Sequence, residues 1–371
     1  MEIQTDLDLI QETEFFQVPR YLLFRKYSEK DMKHILDLGA GFSYYRLNLG
    51  LQAFTLFCSF IQPSSPKEVA QKLGLPIKDV LSACSLFLKE KVLCRYQTIP
   101  EKFKRYDRNL LYYRLNSVNP LRAQEILSKI TIVLIGVGGI GNWVSLNLIG
   151  LGLKKLRLVD ADLIEKSNLC RQVLFSEADI GKKKVDVAKQ VLEGKNSSVL
   201  LETVDAHVTE ENVEELIRGA DFVVLSADSP PYFIQKWVNR ACVRNNIPFF
   251  NVGYADGLGI VGPLVAPPIT ACLACDNFLE RNKPTVFIDK NIKDQTKNNL
   301  LALLQNYQAP SFTCLNSLVS CIASYEIVKY FLDFGQCDTN GYRLFIDPLE
   351  IKVDKKKYEI NENCKICRPT Y

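Results

Sequence analysis

From about residue 105 onward, strand-like runs of mainly apolar residues alternate along the chain with segments that have the apolar spacing of helices. The run 130–135 is typical of a strand buried in a parallel sheet, and further strand-like runs lie at 156–159 and 222–225. Segments with helical spacing lie between them, at 142–150 and 181–192. Because strands that alternate with helices form parallel sheets covered on both faces, this pattern predicts a doubly wound, Rossmann-like α/β domain.

The first hundred residues have a different pattern, in which short apolar runs precede several helical segments. The helical spacing covers 48–61, 66–74 and 80–89. Strands followed by helices, one of which opens on Pro66, predict a small α+β, winged-helix-like module. An extension of the main domain is the alternative. The polar segment 100–107 is expected to be a linker, which divides the chain into domains 1–100 and 101–371.

Composition narrows the possible partners. The 371 residues include 46 basic and 42 acidic side chains, a net charge of +4, which is too balanced to indicate a nucleic-acid or membrane partner. The N-terminus is acidic and lacks the pattern of a secretory signal, and no apolar stretch reaches membrane-spanning length. We therefore expect a cytoplasmic protein, in which some of the twelve cysteines are buried thiols and others are candidate metal ligands.

A glycine-rich loop follows the first predicted strand of the α/β domain directly. Its glycines are Gly136, Gly138, Gly139 and Gly141. The backbone amides of such a loop, together with the start of the following helix, bind phosphate. Asp160 ends the next predicted strand, where a carboxylate accepts hydrogen bonds from ribose hydroxyls. These features predict a nucleotide site; taken alone, they also fit a nicotinamide dehydrogenase or a glycine turn without a ligand.

Polar side chains continue along the connection that follows Asp160. They are Asp162, Asn168, Arg171, Gln172 and Lys184. A dinucleotide has two phosphate charges, which the glycine loop already serves, whereas a triphosphate needs cationic side chains to offset its extra charge. Arg171 and Lys184 are therefore candidates for binding a triphosphate. Arg105 and Arg108 add two more cations just before the domain.

Four cysteines form two pairs, each with two residues between its members. The pairs are Cys272 with Cys275, and Cys364 with Cys367. This spacing lets both thiolates of a pair bind one metal, and four thiolates complete a tetrahedral zinc site without an open position. We predict a structural zinc that ties the C-terminal tail to the domain. Chance pairing or redox dithiols are the alternatives.

The two histidines and two further cysteines are expected to have structural roles. Cys314 and Cys321 lie in a segment whose apolar spacing is that of a buried helix, so they are expected to be packing residues. His34 and His207 have no neighbouring pattern that indicates a catalytic base. Each is expected at the surface or in a hydrogen bond.

Five separated blocks of the sequence resemble, in order and spacing, the adenylating domain of the ubiquitin-activating (ThiF-like) superfamily. They are RYDRN, GVGGIG, DAD, SNLCRQVLFSEADIGKKK and VVLSADSP. The resemblance runs from about residue 105 to the C-terminus. It implies that the chain uses ATP to convert a carboxylate into an acyl-adenylate, releasing pyrophosphate.

The resemblance also implies roles for individual residues. It assigns Asp160 to the ribose, Arg171 and Lys184 to the phosphates, and Asn168 and Gln172 to the lining of the site. In several of these activators a nucleophilic cysteine lies in the crossover region, about 276–310 here, and this chain has no cysteine there.

The resemblance also implies that one residue binds magnesium and that another acts across a dimer interface. Asp228 follows the run 222–225 and corresponds to an aspartate that coordinates magnesium, a hard cation suited to carboxylate and phosphate oxygens. Arg108 corresponds to an arginine that reaches the nucleotide bound in the partner subunit, which implies a homodimer. A solvated charge at the start of a helix is the alternative for Arg108.

A narrower resemblance is to the peptide adenylyltransferases of microcin C biosynthesis. It is carried by RYDRNLLYYRLNSVNP, by the glycine-loop region and by WVNRACVRNNIPFFNVGYADGLGIVGPL, and it extends into residues 50–100. It implies that the first hundred residues clamp a short ribosomal precursor peptide, which would be adenylated during the biosynthesis of a modified peptide antibiotic. An edge strand near 21–25 is one place where such a peptide could add as an extra strand.

Two segments depart from that narrower pattern. The residues before Gln52 show little match and would hold the peptide specificity. The segment 277–307 is rich in lysine and asparagine and would form a crossover loop over the substrate, with a solvated charge run as the alternative.

Three alternative functions stay open at this point. Related enzymes of the pantocin type activate side-chain carboxyls of a precursor peptide and cyclise it. An activator of a sulfur-carrier protein is the second. A non-enzymatic subunit that binds a ubiquitin-like protein is the third, and the complete set Asp160, Arg171, Lys184 and Asp228 argues against it.

Overall fold

The computed structural model describes residues 10–30, 33–40, 43–276, 310–332 and 334–368. It divides into two compact units, residues 1–121 and 122–371. The division predicted after residue 100 precedes this boundary, because residues 101–121 group with the first unit. The segment expected to form a crossover loop lies outside the described residues.

The first unit begins with strands and continues with helices. Its strands are β1 (Phe16–Gln17), β2 (Leu23–Lys30), β3 (Lys33–Ala40), β4 (Ser43–Gly50) and β5 (Cys94–Arg95). Its helices are α1 (Leu51–Cys58), α2 (Pro66–Leu73), α3 (Ile77–Lys89) and α4 (Asp107–Leu115). The strands β2, β3 and β4 form an antiparallel sheet in that order, and β1 pairs with β5. The strand-then-helix order matches the prediction, whereas the winged-helix likeness stays a prediction.

Helix α2 illustrates how local sequence fixes an element of this unit. The Ser65 side chain accepts a hydrogen bond from the Glu68 amide (3.2 Å), and the Glu68 carboxylate accepts one from the Ser65 amide (2.9 Å). This capping box, with Pro66 at the first helical position, satisfies amides that lack partners within the helix. Gly74, at φ +64°, ends the helix in the left-handed conformation that glycine adopts without strain.

Two predicted boundaries in this unit were wrong. The helical pattern at 48–61 includes the end of β4, because those residues pair with β3, and α1 begins only at Leu51. The expected linker at 100–107 is instead a 3₁₀ helix, Glu101–Tyr106, followed directly by α4. Phe103 and Tyr106 are buried there, so two aromatic side chains anchor a segment whose other residues are mostly polar.

Both histidines have the structural surroundings that the sequence predicted. His34 is buried on β3, and its Nδ1 lies 2.8 Å from the Tyr27 hydroxyl. Its ring also stacks on that of Phe54. His207 is exposed. The prediction of a hydrogen-bonded or surface histidine is confirmed at both positions.

The second unit is built on one eight-stranded sheet. Its strands are β6 (Thr131–Ile135), β7 (Lys155–Val159), β8 (Leu200–Val204), β9 (Phe222–Leu225), β10 (Phe249–Ala255), β11 (Leu258–Val261), β12 (Tyr342–Asp347) and β13 (Lys352–Lys357). Its helices are α6 (Gly139–Leu151), α7 (Lys184–Lys195), α8 (Val213–Ile217), α9 (Phe233–Arg244) and α10 (Thr313–Leu332), and α5 (Pro120–Leu127) spans the boundary between the units.

The order of the strands confirms the predicted fold class. The sheet runs β13-β12-β11-β10-β9-β6-β7-β8, and the five strands from β10 to β8 are parallel. Every residue of β6 and β9 is buried, as expected for strands covered on both faces. The carboxyl ends of the central strands therefore meet at one edge of the sheet, where ligands bind in doubly wound folds. The antiparallel strands β11 to β13 were not predicted.

Helix α10 packs on α6 and buries one side of itself. Leu315, Val319 and Ala323 are buried, and the Ser320 hydroxyl donates to the carbonyl of Ile140 (3.0 Å). The prediction that Cys314 and Cys321 are buried packing residues was wrong, because both are exposed. These two positions are seven apart and share the side of the helix away from that core. Among the described helices, none is long and apolar enough to cross a membrane.

Candidate nucleotide site and metal centre

The glycine loop connects the end of β6 to the start of α6 and fits closely against β9. Gly136 has φ +95°, and a Cβ there would lie 2.6 Å from the backbone nitrogen of Ala227. A Cβ at Gly141 would lie 2.1 Å from the carbonyl oxygen of Gly136. Glycine is therefore required at both positions, the first for its conformation and for space and the second for space alone. The resulting turn leaves the N-terminus of α6 at the carboxyl edge of the sheet, where its amides can bind phosphate.

We expect Gly141→Ala to lower the free energy of unfolding by about 1–3 kcal/mol, because the added methyl overlaps backbone that the core holds in place. Gly138→Ala is the matched control, since a Cβ at that position meets nothing within 4 Å. Urea unfolding of the two variants measures the difference. Equal midpoints would contradict the close fit of the loop.

Two side chains hold the loop in place. The Asn142 amide nitrogen donates to the carbonyls of Val137 (2.7 Å) and Gly138 (3.0 Å), and its oxygen accepts from the amide of Leu174 (2.9 Å). The Ser226 hydroxyl donates to the carbonyl of Gly136 (2.8 Å). Neither residue was singled out from the sequence, because their role depends on contacts between separate elements.

Asp160 lies just after β7, as predicted. One carboxylate oxygen accepts from the amide of Val137 (2.6 Å), and the other accepts from the amide of Asp162 (2.9 Å). Burial raises the pKa of Asp160, while the nearby Lys184 ammonium and these two amides act in the opposite direction. The carboxylate thus links the glycine loop to the following connection, and the second lone pair on each oxygen can accept from a ligand hydroxyl.

Lys184 and Asp162 form an ion pair beside Asp160. The Lys184 Nζ lies 2.7 Å from a carboxylate oxygen of Asp162. The lysine side chain is only 7% exposed, whereas that of Asp162 is 60% exposed. The ammonium is therefore held at the start of α7 with little freedom of its own, and its partner is open to solvent.

The connection between these residues brings Arg171 to the glycine loop. The Cγ of Arg171 would lie 3.5 Å from a Cβ at Gly139, and its guanidinium donates to the carbonyl of Ser167 (2.7 Å). Asn168 is buried, and its side-chain oxygen accepts from the amide of Glu165 (3.1 Å). Gln172 is buried too, and among the described residues nothing bonds to its side-chain oxygen. Arg171 thus lies beside the glycine loop. The buried side chains of Asn168 and Gln172 lie on either side of it along the segment that follows Asp160.

Asn316 is a residue at this site that the sequence did not reveal. It lies in the first turn of α10, is fully buried, and its amide nitrogen would be 2.3 Å from a Cβ at Gly139. That nitrogen lies 3.1 Å from the Ser311 hydroxyl. The start of α10 therefore abuts the N-terminal end of α6. The one feature of the sequence that could have indicated Asn316 is an asparagine in the first turn of a mainly apolar helix.

Asp228 and Arg108, the residues predicted to bind magnesium and to reach a partner's nucleotide, are both exposed. Asp228 is exposed and follows β9 at the carboxyl edge, directly after Ala227, which contacts Gly136. An exposed carboxylate at this edge is a ligand of the kind that magnesium prefers. Arg108 belongs to the first unit, where it is exposed in the first turn of α4.

The four cysteines predicted to bind zinc come together in the second unit. Their sulfur atoms all lie within 4.8 Å of one another. The sulfurs of Cys272 and Cys364 are 3.7 Å apart, and those of Cys275 and Cys367 are 3.3 Å apart. A zinc ion surrounded by four thiolates at about 2.3 Å requires sulfur separations of about 3.8 Å, so the cluster fits this metal. The hydrogen bond between the Cys272 and Cys275 sulfurs raises the pKa of Cys272 and lowers that of Cys275.

Together, the fold and these sites define a nucleotide-binding α/β protein with a four-cysteine cluster. Residues 106–366 match the ThiF family, and the chain therefore belongs to that family. The SAMP-activating enzyme E1 of Haloferax volcanii is 29% identical over 263 residues, which cover 71% of this chain and 88% of that protein. The sulfur carrier protein adenylyltransferase of Thermus thermophilus is 29% identical over 271 residues, or 72% of this chain and 91% of that protein.

Solved structures give a similarity that covers more of the chain. The crystal structure of E. coli MccB with MccA-N7isoASN has a TM-score of 0.73 and 26% identity, and covers 95% of this chain and 99% of that one. The microcin C7 biosynthetic enzyme MccB in complex with N-formylated MccA gives a TM-score of 0.71 at 26% identity, with the same coverage. The predicted membership of the ThiF family, with MccB among the similar structures, is confirmed. The chain is an ATP-dependent adenylyltransferase of that family.

Proposed function

We propose that this protein adenylates a carboxylate of a short ribosomally made precursor peptide, in the biosynthesis of a modified peptide antibiotic. The proposal rests on how much of this chain each similar protein matches. The similarity to MccB spans 95% of the chain, whereas the sulfur carrier relative matches 72% of it while using 91% of its own length. A part of this chain thus has a counterpart in an enzyme crystallised with the peptide MccA and lies outside the match to that relative.

In the proposed reaction, a carboxylate oxygen of the peptide attacks the α-phosphorus of ATP. The bond between the α-phosphorus and the bridging oxygen breaks, and its electrons leave with pyrophosphate. The amides at the start of α6 and the guanidinium of Arg171 would stabilise charge on the α-phosphate, while Lys184 would exchange Asp162 for the outer phosphates. Asp160 would orient the ribose, with Asn168 and Gln172 shaping the site around it.

Magnesium fits this proposal at Asp228. The exposed carboxylate at the carboxyl edge of the sheet supplies the oxygen ligand, and phosphate oxygens would complete the coordination. The ion would neutralise charge on the departing pyrophosphate. Zinc has a separate place, at the four cysteines, where four protein ligands leave no position for a substrate.

Exchange of labelled pyrophosphate into ATP tests the proposed substrate. We expect exchange to depend on a short peptide encoded beside the gene, because the reverse reaction requires the acyl-adenylate. A small carrier protein with a diglycine tail is the comparison. Exchange stimulated by the carrier and not by the peptide would favour the alternative that the sulfur carrier relatives suggest. A precursor with its C-terminus amidated distinguishes C-terminal from side-chain activation, as in pantocin-type enzymes.

We further propose that the first unit captures the peptide on the outer edge of β2, where no other strand pairs within the described part of the chain. This strand lies at one edge of the three-stranded sheet, and almost all of its residues are exposed. Leu23 and Phe24 are 64% and 55% exposed, which is unusual for large apolar side chains next to each other on an edge strand. An extended peptide could pair with the edge and cover these side chains, which would offset the entropy it loses on ordering.

We expect the double substitution Leu23→Ser and Phe24→Ser to raise the KM for the peptide roughly tenfold or more, because about 1.5–3 kcal/mol of apolar burial per side chain is lost. The KM for ATP should not change. Val353→Ser, at an exposed apolar position on β13, is the control. An unaltered peptide KM in the double variant would exclude this edge as the capture site.

The proposed homodimer gives a further prediction. If Arg108 acts on the nucleotide bound in the partner subunit, Arg108→Ala and Asp228→Asn should each be inactive alone. Mixing them under conditions of subunit exchange should restore about a quarter of the wild-type rate at equal mixing, because half of the dimers are mixed and each has one intact site. Lack of recovery, with exchange verified by mass spectrometry, would place Arg108 outside the partner's site.

A further inference from the structure

The first unit contains a cavity of about 610 Å³ that the proposed reaction does not use. Four separated parts of the chain line it: the residues at and after β1, Gln62 with Pro63, the segment 94–99, and the region from Lys104 to Leu121 that includes α4. Ligand pockets in proteins usually have volumes of about 300–1,000 Å³, with mostly apolar walls and a few placed polar groups. The cavity has this size, and its wall is more polar than usual, with polar and apolar residues in nearly equal numbers.

Arg114 is the polar group that distinguishes the cavity. Its Nη1 donates to the sulfur of Cys94 (2.8 Å) and to the carbonyl of Arg95 (2.8 Å). Neither partner carries a charge, since burial raises the pKa of the Cys94 thiol. Among the described residues, no carboxylate forms an ion pair with this guanidinium. A partly buried cation with neutral partners is a favourable place for an anion, and a guanidinium binds a carboxylate through two parallel hydrogen bonds.

The other charged side chains on the wall are already paired. Arg20 forms an ion pair with Asp107, and Lys104 forms one with Glu101. Gln97 requires a hydrogen-bond donor, because its side-chain oxygen is buried and has no partner in the described part of the chain. A ligand that suits both residues therefore offers an anion to Arg114 and an N–H group to Gln97. Bare phosphate lacks the N–H group, whereas a peptide with an acidic residue has both.

Apolar side chains complete the wall beside these groups. Leu110 is buried, Leu111 is partly exposed, and Pro63, Pro120 and Leu121 also line the cavity. We propose that this cavity binds an acidic peptide segment: its side-chain carboxylate on Arg114, a backbone N–H on Gln97, and a neighbouring apolar side chain on Leu110 and Leu111. That this segment belongs to the precursor, away from its activated carboxylate, rests on the proposed function.

Fluorescence anisotropy with two blocked, labelled peptides tests the proposal on the full-length protein without ATP. The probes are acetyl-Gly-Leu-Glu-Leu-Gly-amide and the same peptide with Gln in place of Glu. We expect the Glu peptide to bind about tenfold or more tightly, because only it pairs with the guanidinium. Arg114→Gln should remove this preference while leaving affinity for the Gln peptide unchanged. Lys104→Gln, at an exposed wall position already paired with Glu101, is the control and should retain the preference.

Methyl NMR of the wild-type protein gives a second measurement that needs no substitution at Arg114. Shifts on Leu110, Leu111 and Leu121 with the Glu peptide would support the cavity as its site. Equal affinity for the two peptides, a preference that survives Arg114→Gln, or shifts confined to other leucines would overturn the proposal. Because no ATP is present, failure here is distinct from failure of peptide-dependent pyrophosphate exchange.

Discussion

Asp228→Asn should abolish pyrophosphate exchange while leaving the protein folded. The substitution keeps the shape of the side chain and removes the charge that would hold magnesium at the carboxyl edge of the sheet. Losing the ligand should raise the barrier by roughly 3 kcal/mol or more, which corresponds to about a hundredfold or greater loss of rate. Because Asp228 is exposed, the thermal midpoint should be nearly unchanged.

The control for this experiment is Asp354→Asn, at an exposed position on β13 at the far edge of the same sheet. It should exchange pyrophosphate at the wild-type rate. Titration with magnesium adds a second readout, because a weakened site should need a higher concentration of the ion for the same rate. A variant at Asp228 that exchanges normally at every magnesium concentration would remove this residue from the mechanism.

Removal of metal from the four-cysteine cluster should have the largest effect on stability. Zinc bound by four thiolates contributes on the order of 10–16 kcal/mol of apparent binding free energy near neutral pH, and this stabilises the folded state that holds the ligands together. We expect one zinc per chain by elemental analysis. A strong chelator, or Cys364→Ser, should lower the thermal midpoint by several degrees or more.

Cys170→Ser is the control, because Cys170 is exposed and lies outside the cluster. It should retain both zinc and the wild-type midpoint. A purified protein without zinc, whose midpoint does not respond to chelator or to added metal, would contradict a structural metal and leave the four thiols as packing residues.

The sequence predicted those parts of the fold whose signal is local. The strands β6 and β9 were recognised because their residues form mostly apolar runs, as expected for strands covered on both faces, and β7 because apolar residues alternate with charged ones along it. The strand β13 has the sequence KVDKKK and is exposed throughout, so no apolar period marks it. It is held by pairing with β12, which comes from the fold and not from its own side chains.

The same distinction applies to the sites. The glycines, Asp160 and the paired cysteines have fixed spacings along the chain, and spacing was enough to indicate phosphate, ribose and metal. Asn316 lies far along the chain from the glycine loop, and only the packing of α10 on α6 brings it there. The cavity around Arg114 likewise requires four separated segments, so periodicity gave no sign of it.

The cysteine cluster has a topological consequence. The 88 residues between Cys275 and Cys364 leave the cluster and return to it, so a bound metal would close them into a ring. A single protease cut anywhere in that ring would leave two fragments joined through the metal under native conditions. The fragments would separate only when denaturant and chelator act together, whereas a cut before Cys272 would need denaturant alone.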